Sequence, residues 1–166
     1  MNNFENGMSK LLLAQLADLY FCENQLIGAL QKMSDAAHDP KLKKAFRDHR
    51  QETIGHVHRL EAAFAEMNEI PKAFPCRGLD GLLDDSKWMM YRLKDDPALD
   101  VALIAAAQKV EMFEAASYRS AVRMARQLGN EKLAVLCQGI LDEELAADDK
   151  LSAIAAFGER YVPEIR

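Results

Sequence analysis

The sequence predicts an all-α protein built on a bundle of four long helices. Its composition favours helices: only 8 Gly and 5 Pro occur among 166 residues, and runs of β-branched residues are absent. The prolines all fall between segments of periodic apolar residues, so they mark helix boundaries. Two helical hairpins with short turns are separated by one long connection, which gives an up-down, crossover, up-down order.

Each helix is predicted from an apolar stripe and from its end signals. The first begins at Ser9, a plausible N-cap, and carries a stripe of leucines. The second begins at Pro40, and the third begins near Pro97 and ends before Gly129, a favoured residue just beyond a helix. The predicted ranges are about 9–34, 40–68, 97–128 and 131–157.

The connection between the second and third helices spans about residues 69–96, and this length allows it to return along the whole bundle. Within it, the segment GLDGLLDDSKWMMYRL predicts a shorter extra helix. This layout is that of a ferritin-like antiparallel four-helix bundle with a long crossover. We therefore expect one ferritin-like domain over residues 1–166.

Charge and composition exclude several classes of function. The net charge of −5 and the scattered Lys and Arg argue against nucleic-acid binding. No signal peptide and no membrane-spanning stretch is predicted, so we expect a cytoplasmic protein without a membrane partner. The three cysteines form no C-x-x-C pair, which argues against a thiolate zinc site, and nucleotide-binding and serine-hydrolase motifs are absent from the sequence.

Acidic residues interrupt the apolar stripe of every long helix at mid-length. They are Glu23 in the first helix, Glu52 in the second, Glu111 and Glu114 in the third, and Glu144 and Asp148 in the fourth. His49 and His56 flank Glu52 on the same face. Within each antiparallel hairpin, the acids lie about equally far from the connecting turn, so they are expected to meet at one height of the bundle.

Carboxylates that converge in a core repel one another and lose hydration, so such a site needs cations or protons. Two divalent metal ions would supply the charge. Oxygen-rich ligation with one or two imidazoles suits iron or manganese better than a structural zinc site.

Four stretches carry a family resemblance: LADLYFCENQL, HRQETIGHVHRLE, ALIAAAQKVEMFEAASY and LDEELAADDKL. In order and spacing they resemble the motifs of the YciE/YciF family of bacterial stress-associated, ferritin-like proteins. The similarity extends over nearly the whole chain, including Cys76 and the GLDGLLDD segment of the crossover.

A more distant resemblance, to the di-iron site of rubrerythrins, implies a ligand set. Carried over by position, this set is Glu23, Glu52, His56, Glu111, Glu114 and Glu144, with Asp148 at the matching place on the fourth helix. The sequence departs from that pattern because Glu52 and His56 are four residues apart instead of three, and because Asp148 stands where a histidine is usual. His49 is the competing imidazole. Tyr20 and Tyr118 lie one turn from Glu23 and Glu114, where they could hydrogen-bond a ligand or supply an electron.

The sequence is consistent with two hypotheses of function. In the first, a pair of metal ions, iron in preference to manganese, reacts with peroxide or dioxygen using an external electron donor, because no rubredoxin-like cysteine pair is present. In the second, the ions only neutralise the core acids in a structural stress protein. A homodimer is expected in either case.

Overall fold

The computed structural model describes residues 3–158, which form five α-helices and no strand. The helices are α1 (Asn3–Ala36), α2 (Pro40–Glu66), α3 (Arg77–Arg92), α4 (Leu99–Gln127) and α5 (Glu131–Gly158). Helices α1 and α2 form one antiparallel hairpin, and α4 and α5 form the other. Helix α2 packs on α5 and α1 on α4, which closes the four-helix bundle. The predicted ferritin-like fold is confirmed.

Helix α3 is the extra helix of the crossover, and it packs mainly against α4 and also against α1. Before it, residues 67–76 run along the bundle, where the Phe74 amide donates to the Ala17 carbonyl at 3.2 Å. Leu79 and Leu83 are the buried leucines of α3. The crossover therefore covers one side of the bundle.

Most helix ends lie within two residues of the predicted ends, as expected from frayed termini. The exception is α1, which begins at Asn3 instead of Ser9. Ser9 lies inside the helix because the apolar period continues upstream, where Met8 packs against the core. Helix α4 begins at Leu99, two residues after the predicted start at Pro97. In the turn before it, the Asp96 carboxylate accepts a hydrogen bond from the Ala98 amide at 2.8 Å.

Two buried apolar clusters fill the bundle, one on each side of its middle. The first includes Leu16 and Leu19 of α1 with Leu133 of α5, and the second includes Leu26 and Leu30 of α1. Between them, the inward positions of the long helices carry ionisable side chains. Within residues 3–158, no helix combines the length and the apolarity needed to cross a membrane.

The turn between α1 and α2 is fixed by a carboxylate from the other hairpin. The backbone amides of His38 and Asp39 each donate to Asp100 of α4, both at 2.7 Å. Asp39 in turn caps α2 by accepting from the amide of Lys41 at 2.6 Å. These bonds tie the two hairpins together at one end of the bundle.

We predict that Asp100→Ala lowers the free energy of unfolding by about 1–2 kcal/mol, because two backbone amides lose a charged acceptor. Urea denaturation followed by circular dichroism measures the change. Asp95→Ala, an exposed aspartate of the preceding turn, is the control. Equal stability of Asp100→Ala and wild type would contradict the role given to this carboxylate.

Candidate metal centre

Six ionisable side chains from four helices form a buried layer at mid-bundle. They are Glu23 on α1, His49 and His56 on α2, Glu111 and Glu114 on α4, and Glu144 on α5. None is more than 7% exposed. Charged groups are rarely buried to this degree without partners, so the layer calls for an electrostatic explanation.

The first group of ligand atoms joins Glu23, His56 and Glu144. Nδ1 of His56 lies 3.2 Å from Oε2 of Glu23 and 2.9 Å from Oε1 of Glu144. The Tyr118 hydroxyl donates a hydrogen bond to the other oxygen of Glu23. One imidazole nitrogen and two carboxylates therefore converge, and Tyr118 fixes one of the carboxylates.

The second group joins His49, Glu111 and Glu144. Nε2 of His49 lies 3.3 Å from Oε2 of Glu111 and 3.4 Å from Oε2 of Glu144. In each group, one ligand atom per residue lies within 4.8 Å of the others. Glu144 belongs to both groups through different oxygens, so it could contact two ions at once.

Glu114 lies beside both groups, and both of its carboxylate oxygens are buried without a hydrogen-bond partner among the described residues. Burial raises the pKa of this carboxyl well above its ordinary value, and the charges of Glu23 and Glu144 raise it further. Both oxygens of Glu144 also lack an aligned hydrogen bond, although imidazole nitrogens are close. Such orphaned acceptors are costly, and a cation would satisfy them.

The pKa values of the other groups of the layer are also shifted, because burial and neighbouring charges act on them in opposite directions. Burial raises the pKa of Glu23 and of Glu144, although the nearby His56 imidazole lowers both. Burial lowers the pKa of His56, but Glu144 and Glu23 together raise it to about 10. The pKa of His49 is also well above its ordinary value, because Glu111, Glu52 and Glu144 together outweigh its burial. Two imidazolium ions cannot neutralise four carboxylates, so the donor set fits divalent cations.

Each imidazole is oriented by a carboxylate on its outer side. Nδ1 of His49 lies 3.2 Å from Glu52, whose other oxygen accepts from Lys150 at 3.1 Å. Nε2 of His56 lies 2.9 Å from Glu143, which is paired with Arg59. These contacts leave Nε2 of His49 and Nδ1 of His56 facing the buried carboxylates. This arrangement resembles the outer carboxylates that orient histidine ligands in metal sites.

The structure does not bring every predicted residue to the centre. Asp148 is half-buried outside both groups and accepts from Gln108 at 3.0 Å, because its position on α5 faces the edge of α4. The Tyr20 hydroxyl donates to Glu61 at 3.2 Å near the surface. Glu52 is about one-third exposed and contacts the layer only through His49. The choice between His49 and His56 does not arise, because each has its own group.

Sequence reasoning missed the outer residues Glu143, Arg59 and Lys150. They lie off the inward stripes, and only the assembled bundle shows which imidazole nitrogen each carboxylate faces. The seven-residue spacing of His49 and His56 did hold a signal, since it places both rings on one face of α2. Their ring centroids are 6.2 Å apart.

The bundle and its crossover helix define a ferritin-like protein, and its buried carboxylate and histidine groups could hold a metal ion. The chain belongs to the family described as "Domain of unknown function (DUF892)", whose model matches residues 7–161. It is 39% identical over 141 residues to Protein YciF of Escherichia coli K12, covering 84% of this chain and 85% of that protein. The family indicated by the sequence motifs is confirmed.

Two solved structures are similar over most of the chain. The crystal structure of the E. coli stress protein YciF has a TM-score of 0.89 and 35% identity, covering 93% of this chain and 98% of that chain. YcfI from Rhodopseudomonas palustris has a TM-score of 0.85 and 33% identity, covering 87% of this chain and 92% of that chain.

We predict that the metal-free protein becomes more stable as pH falls from about 9 to about 5. Folded His56, with a pKa of about 10, holds a proton that an unfolded histidine of pKa 6.5 releases. Glu23, Glu114 and Glu144 have raised pKa values, so the folded state also takes up their protons first. Thermal melts of chelated protein should show Tm rising by about 5 °C or more.

Further acidification should reverse this trend. The pKa of Glu52 is lowered to about 2, chiefly by its hydrogen bond to His49, so its contribution is lost as pH falls below 4.5. A Tm of the chelated protein that falls steadily from pH 9 downward would contradict the buried carboxylate cluster.

Proposed function

We propose that the buried layer binds two transition-metal ions, iron in preference to manganese, and that the loaded protein reduces peroxide or dioxygen with electrons from an external donor. The observation that carries this proposal is the pair of buried ligand groups that share Glu144. A single ion would satisfy only one group and leave the other with uncompensated carboxylates.

Different residues of the chain would bind each of the two ions. Glu23 and His56 would hold one ion, His49 and Glu111 the other, and Glu144 both, with Glu114 available from α4. When bound, the two ions supply reversible one-electron chemistry and open positions for a small oxidant. The apolar clusters on both sides keep bulk water away, and Tyr118 holds its proton toward Glu23.

The donor set supports iron or manganese over structural zinc. It consists of carboxylate oxygens and two imidazole nitrogens. Structural zinc usually takes thiolates in a closed tetrahedron. Neither ligand group contains a cysteine, and Cys137 lies in the first apolar cluster.

The size of the space beside the layer supports a small oxidant. Two cavities of about 10 Å³ each touch both His49 and Glu111. That is about the volume needed for one water-sized molecule. An organic substrate of ordinary size needs a pocket of several hundred Å³.

A metal-stabilised structural protein is the second candidate function. It is favoured by the similarity to YcfI, which is described as a candidate structural protein. In this reading, the ions only replace the missing positive charge of the layer, and the protein performs no turnover.

We also propose that the protein acts in the cytoplasm as a homodimer. Helix α3 and the start of α4 expose Trp88, Tyr91 and Val101, which supply apolar surface for a second copy. Sedimentation equilibrium tests the assembly, and a monomer at all concentrations would contradict it.

We predict about two metal ions per chain in anaerobically Fe(II)-loaded protein. Because Glu144 belongs to both groups, Glu144→Gln should lose most of both ions, whereas Glu23→Gln and Glu111→Gln should each lose about one. Elemental analysis after desalting measures the content. Each substitution preserves side-chain size, so changes in packing are kept small.

Asp148→Asn is the matched control, because Asp148 lies on the same helix as Glu144 but outside both groups. Its metal content should equal that of the wild type. If Asp148→Asn loses metal while Glu144→Gln keeps it, the assignment of the two groups is wrong.

We predict that anaerobic ferrous protein is oxidised within seconds by excess hydrogen peroxide and more slowly by oxygen. The reason is that the cavities leave room only for small molecules, and that the two electrons of two ferrous ions reduce peroxide fully to water, whereas dioxygen needs four. Stopped-flow absorption of ferric iron gives the rates. If loaded protein stays reduced for minutes in both oxidants, the structural function replaces the enzymatic one.

A further inference from the structure

A surface cleft lies between the crossover helix α3 and the C-terminal half of α1. Its volume is about 220 Å³. Lys32 of α1 and Lys87 of α3 line it together with the buried side chains of Met33, Leu83 and Ser86. The rim of the cleft therefore carries Lys32 and Lys87, of which Lys87 is paired with Asp84 at 2.8 Å, and its floor is apolar except for Ser86.

The floor of this cleft is also the outer wall of an inner cavity. Met33, Leu83 and Ser86 line both spaces. The inner cavity has a volume of about 10 Å³ and reaches His49 and Glu111 of the second ligand group. One layer of side chains thus separates the surface cleft from the candidate metal centre.

Met33, Leu83 and Ser86 thus form a partition between the cleft and the inner cavity. Ser86 is its unusual member. It is only 4% exposed, and its Oγ has no hydrogen-bond partner among the described residues. A buried hydroxyl without a partner costs free energy, and an apolar or small residue would fill the position without that cost. The rest of the inner wall is mainly apolar and includes Leu26, Leu30 and Val110. Ser86 therefore offers a hydrogen bond to a molecule inside an apolar passage.

We propose that the cleft and the inner cavity form the access route by which a small neutral oxidant, hydrogen peroxide, reaches the centre, with the Ser86 hydroxyl hydrogen-bonding it at the partition. This inference rests on the proposed function. Met33 is unbranched and flexible, so its side chain can rotate to open the partition without movement of α3. The apolar walls of the inner cavity disfavour the passage of hydrated cations. Metal ions therefore enter elsewhere.

Two variants of Ser86 test the route. Ser86→Leu fills the passage, and Ser86→Ala keeps it open but removes the hydroxyl. Ser86→Leu should slow oxidation by peroxide and by oxygen by at least about tenfold, because close-packed interiors admit little beyond their existing voids. Ser86→Ala should slow the peroxide reaction alone, since dioxygen is a poor hydrogen-bonding partner.

Two measurements do not depend on turnover. The rate at which nitric oxide binds to the ferrous protein, read by absorption, should fall in Ser86→Leu and stay unchanged in Ser86→Ala. The rate and stoichiometry of Fe(II) uptake should be unchanged in both variants. Asp85→Leu, which adds the same side chain at the exposed neighbouring position, should match the wild type in every measurement.

The second small cavity provides the competing route. It reaches His49 and Glu111 from between α2 and α5, where Ala147 lines it. If Ala147→Leu slows nitric oxide binding and Ser86→Leu does not, the proposed route is overturned. Slower Fe(II) uptake in Ser86→Leu would overturn its selectivity for neutral molecules. Normal nitric oxide binding without any peroxide reaction would leave the route intact and reject the peroxide chemistry. Should Ser86→Leu fail to fold, equal peroxide rates in Ser86→Ala and wild type overturn the role of the hydroxyl.

Discussion

The structure depends on the burial of four carboxylates with only two imidazoles at the centre of the bundle. Glu23, Glu111, Glu114 and Glu144 are almost fully removed from water. Inside a protein, like charges repel more strongly than in water, and each loses its hydration. The imidazoles become cationic and remove part of this cost, as the raised pKa of His56 shows. The remainder calls for protons or for metal ions, so folding would be linked to the binding of either at this centre.

The rest of the bundle supports this costly layer. Two apolar clusters, one on each side, supply the burial that stabilises the fold. Long helices allow both clusters to fit along the same four elements, with the polar layer between them. The crossover adds Leu79 and Leu83 of α3 to the second cluster and covers the side of the bundle formed by α1 and α4. Asp100 holds the end of the α1–α2 hairpin against α4, which keeps the two halves of the ligand set in register.

The sequence predicts the bundle well, because helical period, prolines and short turns are local signals. It also identifies Glu23, Glu111, Glu114 and Glu144, since acids on an apolar stripe are visible without knowledge of neighbours. The sequence does not determine whether a residue at the border of a stripe faces the core or the edge of the bundle. Asp148 lies one turn beyond Glu144, yet a small rotation takes it to Gln108 at the edge of the bundle. The pairing of Glu143 with His56 depends on how α2 and α5 pack, which no local pattern encodes.

The same groups that bind protons in the metal-free state would bind the metal ions, so the two compete. Metal ligands must be deprotonated, so metal binding would release protons from His49, His56 and the carboxylates with raised pKa values. Glu52 and Glu143 are not the groups for which protons and metal ions compete, but they hold the imidazoles in place. Their own pKa values are lowered, so they remain charged and hold the outer face of each imidazole, whose inner nitrogen could then hold either a proton or a metal ion. The outer carboxylates would thus preserve the orientation of both rings in either state, so that binding or loss of ions would not require the bundle to rearrange.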